Sequence, residues 1–222
     1  MKIIAHRGFS DKYPENTLIA FKKAIELGVY GIEADIRLSS DNKAIIFHDD
    51  NLKRITGIDK KPESLSLFEL KKLDAGQGEN IPSLDELITL TNAKAVLILE
   101  IKYNFATYKN LCEVIEKEIM DKLDWIEISC FEDKVLEYMH GINNQIKLHK
   151  LIDSDTTLID KDFAKKYDYV SYFDIDVKLR KLVLDLSLFK NNKVIFWTVD
   201  KEDLSKEIKA GLYGVMKNNP QL

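Results

Sequence analysis

Gly31-Ile32-Glu33-Ala34-Asp35-Ile36-Arg37 reads as a short buried strand: glycine on entry, then Ile32, Ala34 and Ile36 alternating with Glu33, Asp35 and Arg37. Side chains alternate across a strand, so Glu33 and Asp35 share one side with their carboxylates close together. Like charges at that spacing repel, and ordinary sheet faces avoid them. A solvent-facing edge would tolerate the pair, yet other apolar runs end in chemistry too. Lys2-Ile3-Ile4-Ala5 ends in His6-Arg7-Gly8, Ala44-Ile45-Ile46-Phe47 in His48-Asp49, and Val96-Leu97-Ile98-Leu99 in Glu100-Ile101-Lys102. Apolar strands ending in His, Glu, Asp, Arg and Lys are what a barrel enzyme needs at its catalytic mouth.

Strands and helices alternate outward from this point. Before it, Leu18, Phe21 and Ile25 recur at helical spacing, with Asn16 or Thr17 as N-cap and Gly28 as the stop. After it, residues 49–82 break the rhythm as a small excursion over the mouth. There Ser66 and Glu69 form a capping box opening a short helix that Gly76 ends, and Ser83 with Glu86 opens a helix to about Thr91. Further strands are expected at Val96–Ile101, Ile126–Cys130, Ile146–Ile152, Tyr169–Phe173, Val194–Val199 and from Val215. The helices between them are marked by Tyr108, Leu111, Ile115 and Ile119, by a run to about His140, by Leu179, Leu182, Leu186 and Phe189, and by Leu204 and Ile208. With Ala44–Phe47 taken as a hairpin extension, eight strands remain. That is the α/β pattern of a TIM (β/α)₈ barrel, one domain over residues 1–222, with an insertion near the mouth and a truncated final helix. Two junctions repeat, Leu27-Gly28-Val29-Tyr30-Gly31-Ile32 and Ala210-Gly211-Leu212-Tyr213-Gly214-Val215, as a βα-repeat fold allows.

Composition narrows the function. The chain carries 33 basic and 37 acidic residues, a net charge of −4, so no global basic field favours nucleic acid. No apolar run approaches the ~20 residues of a membrane span, and Met1 leads straight into a strand without a cleavable leader. The two cysteines, Cys112 and Cys130, lack metal or disulfide spacing. Reduced thiols in a cytoplasmic protein are expected.

The chain resembles the glycerophosphodiester phosphodiesterase family. The motifs that carry the likeness are His6-Arg7-Gly8, Pro14-Glu15-Asn16-Thr17, Glu33-Ala34-Asp35 with Arg37-Leu38-Ser39, and His48-Asp49 with Leu52 and Arg54. Ile81-Pro82-Ser83-Leu84, Leu99-Glu100-Ile101-Lys102 and Trp197-Thr198-Val199-Asp200 follow in the family's order. The resemblance implies a TIM barrel that hydrolyses glycerophosphodiesters to an alcohol and sn-glycerol 3-phosphate with a divalent cation. Two departures stand out: Lys217-Asn218-Asn219-Pro220 closes the chain where a Thr-Asp ending is usual, and Cys130 replaces a serine. Both are expected to reshape the second-half pocket wall without touching the metal site or the histidines.

Hydrolysis of an anionic diester needs positive charge on the phosphoryl oxygens and proton transfer at both ends. Glu33, Asp35 and Glu100 are three hard oxygen donors suited to Mg²⁺ or Ca²⁺. Arg7 and Lys102 add phosphate-binding charge. His6 and His48 supply base and acid respectively. His140, near a helix end, and His149, within a strand, belong to no matched motif and have no expected catalytic part. Trp197 is either a wall of the glycerol pocket or barrel core.

Three alternatives stand beside this reading. Lysophospholipase D-type cleavage of lysophospholipids would use Leu65, Leu67 and Phe68 as an apolar rim, although core packing explains them equally well. A non-catalytic barrel binding phosphate ligands would not need both histidines and all three carboxylates. A metal-dependent sugar isomerase spreads its carboxylates over later strands, whereas these cluster on the second and third.

Overall fold

The computed structural model describes residues 1–190, 192–199 and 204–221. Among these the strands are β1 (Lys2–His6), β2 (Gly31–Leu38), β3 (Ala44–Ile46), β4 (Val96–Ile101), β5 (Ile126–Cys130), β6 (Leu148–Ile152), β7 (Tyr172–Asp176), β8 (Val194–Trp197) and β9 (Gly214–Lys217). The helices are α1 (Leu18–Glu26), α2 (Lys53–Thr56), α3 (Leu67–Leu70), α4 (Leu84–Thr91), α5 (Tyr108–Ile119), α6 (Asp133–Ile142), α7 (Asp155–Leu158), α8 (Phe163–Lys166), α9 (Arg180–Asp185) and α10 (Lys206–Gly211). Every strand except β3 runs parallel to its neighbours, in the order β1-β9-β8-β7-β6-β5-β4-β2, and β2 pairs back to β1. The expected eight-stranded barrel is closed. Among the described residues a turn, not a helix, follows β9.

Alternation along β2 sorts its side chains as read from the sequence. Ile32, Ala34 and Ile36 join the large core between strands and helices, with Phe21, Leu99 and Leu111. Glu33 and Asp35 turn to the lumen, whose apolar filling is Ile4, Ile98, Tyr172, Ile195 and Met216. The repeated junctions meet at the barrel floor, where the Tyr30 and Tyr213 hydroxyls hydrogen-bond at 2.8 Å. Gly31 and Gly214 flank β1 there: a Cβ on Gly31 would stand 3.1 Å from the Val96 carbonyl, and one on Gly214 3.0 Å from that of Lys2. Both glycines let the strands close around Ile4.

β3 sets up the mouth. The Ile36 carbonyl accepts from Lys102 N on the β4 side, so the Asp35 carbonyl, one residue back, faces the opposite edge. There it accepts from Phe47 N. Since β1 pairs with β2 only as far as Glu33, β3 fills the edge that β1 leaves. It runs back down to deliver His48 above His6.

The excursion has its own apolar cluster of Leu52, Leu65, Leu70, Ala75 and Ile81 against Ile45 and Phe47. Leu65 is buried and Leu67 packs on this cluster, which leaves Phe68 alone exposed. Both expected capping boxes form, although α3 stops at Leu70, well before Gly76. Other boundaries moved. β6 starts at Leu148 rather than Ile146, and β8 stops at Trp197. The sixth barrel strand is Tyr172–Asp176, not Tyr169–Phe173. Tyr169 instead packs on His140, and the ladder begins where Ser171 N donates to the Leu148 carbonyl. The helix expected through Phe189 ends at Asp185, since Ser187 adopts φ +53°.

Candidate active site

Glu33 and Asp35 on β2 and Glu100 on β4 meet because Asp35 and Glu100 are register partners across parallel strands. One oxygen from each lies within 4.8 Å of the others, and all three side chains are buried. The chain compensates part of this charge. Lys102 Nζ stands 2.8 Å from Asp35 and 2.5 Å from Glu100, and Arg7 Nε stands 3.2 Å from Asp35. Asn16, at φ +59°, donates its amide to Asp35 Oδ2 at 2.7 Å and accepts from Asp35 N. Arg7 N donates to Glu33 Oε2, while Glu33 Oε1 is buried without a hydrogen-bond partner among the described residues. Burial pushes Glu33 well up, with Asp35 and Glu100 adding repulsion, and lifts Glu100 to about 7. Burial would raise Asp35 as well, but Lys102 and Arg7 hold it below the usual carboxylate range. An orphaned carboxylate oxygen, two carboxyls with raised pKa and a hard-oxygen donor set fit a divalent cation.

Each catalytic candidate imidazole has its Nδ1 engaged. His6 Nδ1 lies 2.8 Å from Asn218 Oδ1, an atom that can only accept, so Nδ1 carries the proton and Nε2 is the basic nitrogen. Burial, reinforced by Arg7, depresses His6 to about 4 and keeps it neutral. His48 Nδ1 donates to Asp49 at 2.7 Å. Burial lowers its pKa too, with Asp35 pulling the other way. Asp49 is clamped by Arg54, which reaches on to Glu15, and Glu15 meets Arg7. This chain of charges links the loops after β1 and β3.

All the expected site residues converge. A cavity of about 250 Å³ at the lumen's mouth has a polar wall of His6, Arg7, Glu33, Glu100 and Lys102, the last of which, with Arg7, pairs with the fully buried Asp35. Phe131, Leu151, Trp197 and Met216 form the apolar wall. Trp197 both lines this cavity and packs on the lumen's apolar filling, edge-to-face with Phe131 and donating Nε1–H to the Asp174 carbonyl. A wider trough of about 710 Å³ opens outward past Arg54 and Asp50; His48 and Lys102 line both spaces, His6 only the inner one. Asp200 of the Trp197 motif lies outside the described residues.

One expectation is corrected. The Lys217-Asn218 departure does touch a paired histidine, because β9 neighbours β1 and carries Asn218 to His6. Cys130 does not contact either histidine; its Sγ lies 3.3 Å from the Ile101 carbonyl. Sequence reasoning also missed the Asn16–Asp35 support and the Glu15–Arg54 bridge, although both lie in motifs it had singled out. Nothing in the sequence signalled the pairing of His149. It sits fully buried under the cavity, 2.9 Å from Glu127 on one side and 3.0 Å from Asp174 on the other, with Tyr172 stacked on its ring. Those carboxylates lift it to about 9 against the effect of burial.

A hard-oxygen donor set, two imidazoles with engaged Nδ1 atoms and fixed positive charge answer the demands of attack at an anionic phosphorus centre, which defines the class as TIM-barrel phosphodiester hydrolases. Residues 6–222 match the glycerophosphoryl diester phosphodiesterase family, and the chain belongs to it. A glycerophosphodiester phosphodiesterase of Caldanaerobacter subterraneus subsp. tengcongensis is 34% identical over 236 residues, covering 99% of this chain and 94% of that protein. The structure of an Oleispira antarctica phosphodiesterase in complex with the product sn-glycerol-3-phosphate is similar at a TM-score of 0.89 and 27% identity, covering 100% of this chain and 94% of that one. The glycerophosphodiester phosphodiesterase of Thermotoga maritima is similar at a TM-score of 0.84 and 26% identity, over 100% and 96% of the two chains.

Proposed function

We propose that this enzyme, which hydrolyses glycerophosphodiesters to an alcohol and sn-glycerol 3-phosphate, uses His6 as general base and His48 as general acid. The observation that carries the assignment is the division of the two spaces. His6 faces only the enclosed cavity, whereas His48 also faces the open trough. Glycerol phosphate fills the enclosed side and the departing alcohol, whose size varies, extends into the open one. His6 Nε2 takes the proton of the attacking hydroxyl, from water or the glycerol 2-hydroxyl. His48 returns a proton to the leaving oxygen, with Asp49 steadying its charged form.

Glu33, Asp35 and Glu100 would hold Mg²⁺ or Ca²⁺, which when bound supplies Lewis acidity toward the phosphoryl oxygens. Arg7 and Lys102 place fixed positive charge at the same oxygens. Glycerophosphocholine and glycerophosphoethanolamine are the proposed substrates, handled by a cytoplasmic single-domain enzyme. Among the described residues no helix is long and apolar enough to cross a membrane. The test is a panel of glycerophosphodiesters with and without added Mg²⁺ or Ca²⁺, with products identified. Release of glycerol and a phosphorylated head group, in place of a free alcohol and sn-glycerol 3-phosphate, would refute the orientation.

A further inference from the structure

Ser129 is the odd residue of the inner cavity. It sits on β5, in register with Glu100 on one side and His149 on the other, and its side chain points into the lumen. The residue is 1% exposed, and its Oγ has no hydrogen-bond partner among the described residues. A hydroxyl held there costs desolvation that no described residue repays. The apolar wall of the cavity, Phe131, Leu151, Trp197 and Met216, offers a ligand only apolar contact.

We propose that Ser129 Oγ hydrogen-bonds the terminal hydroxyl of the substrate's glycerol, so that the enzyme selects diesters whose glycerol is unesterified at that carbon. This rests on the reading of the enclosed cavity as the glycerol phosphate side. With phosphate at Arg7 and Lys102 and the 2-hydroxyl at the carboxylates, the terminal carbon lies past Glu100, toward its register partner on β5. There Ser129 Oγ is a polar atom that lacks a partner among the described residues. An acyl ester at that position removes the hydroxyl proton and drives a chain into a closed apolar wall. Lysophospholipids that carry their acyl group there are therefore excluded by the same residue and the same wall.

The test compares sn-glycero-3-phosphocholine with (2-hydroxypropyl)phosphocholine, which lacks only the terminal hydroxyl, on the wild type and on Ser129→Ala. The wild type should prefer the glycerol substrate by roughly tenfold in kcat/KM, the scale of one buried neutral hydrogen bond. Ser129→Ala should lose about the same factor on the glycerol substrate, and the two losses should not add when both changes are made. Ser129→Cys, near in shape and a weak donor, should show an intermediate preference if the alanine variant fails to fold. Equal wild-type rates on the two substrates, or an equal loss by Ser129→Ala on both, would overturn the proposal. Failure of the wild type to turn over glycerophosphocholine at all would instead bring down the reading of the cavity, and this proposal with it.

Discussion

His6 donates its Nδ1 proton to Asn218 at 2.8 Å, across 212 positions of sequence. The bond fixes the tautomer that a general base at Nε2 requires. Asn218→Ala should therefore lower kcat by about tenfold or more, less than the about 10²–10⁴-fold cost of losing the base itself. Asn218→Asp should raise the His6 pKa from about 4, because a carboxylate favours the imidazolium. The acidic limb of the pH–rate profile would then move to higher pH, and an unmoved limb would count against His6 as base.

Cation binding should strengthen as pH rises. Glu100 titrates at about 7 and Glu33 is raised by burial, so protons must leave before both can ligate. The increase in melting temperature on adding Mg²⁺ or Ca²⁺ should accordingly be larger at pH 8 than at pH 6. Chelation should abolish hydrolysis and either ion should restore it. Glu33→Gln should weaken ion affinity without unfolding the chain. Full activity in excess chelator after dialysis would sink the assignment of the carboxylates.

The histidines separate by leaving group. His6→Ala and His48→Ala should both lose about 10²–10⁴-fold on a natural diester. On a diester of an acidic phenol, which departs without protonation, His48→Ala should recover much of that loss and His6→Ala should not. Rescue of His6→Ala alone would reverse the roles, and near-normal rates for both variants on the natural substrate would eliminate the pair.

His149 contributes stability that alkali removes. Its folded pKa, about 9, lies above the ordinary 6.5, so the contribution is complete below about pH 6.5 and is lost as pH rises through 9. The shift corresponds to an order of 3 kcal/mol. Asp174, raised by burial, acts with the same sign, since a raised folded pKa lowers stability as pH rises. Urea unfolding should show wild-type stability falling between pH 7 and pH 10. His149→Ala should cost about 3–5 kcal/mol at pH 7, because it strands two buried carboxylates. A flat wild-type profile over that range would contradict the charged clamp.

The sequence alone determined the barrel, the shared side of Glu33 and Asp35, and the placing of His6, His48, Glu100 and Lys102 at one mouth. These follow from period-two alternation and from position at a strand end, which are local properties of the chain. Tertiary structure decided the rest. It placed β3 on the edge that β1 vacates, and so brought His48 beside His6. Asn218 reached His6 only because β9 pairs with β1. The end of β7 was misread for the same reason that His149 was passed over. The strand was expected to end at Phe173, yet it carries on through Asp174, which faces a buried imidazole from the neighbouring β6. A polar side chain belongs inside a barrel only when its partner is there, and partners 25 or 212 positions away are set by strand order, not by local pattern.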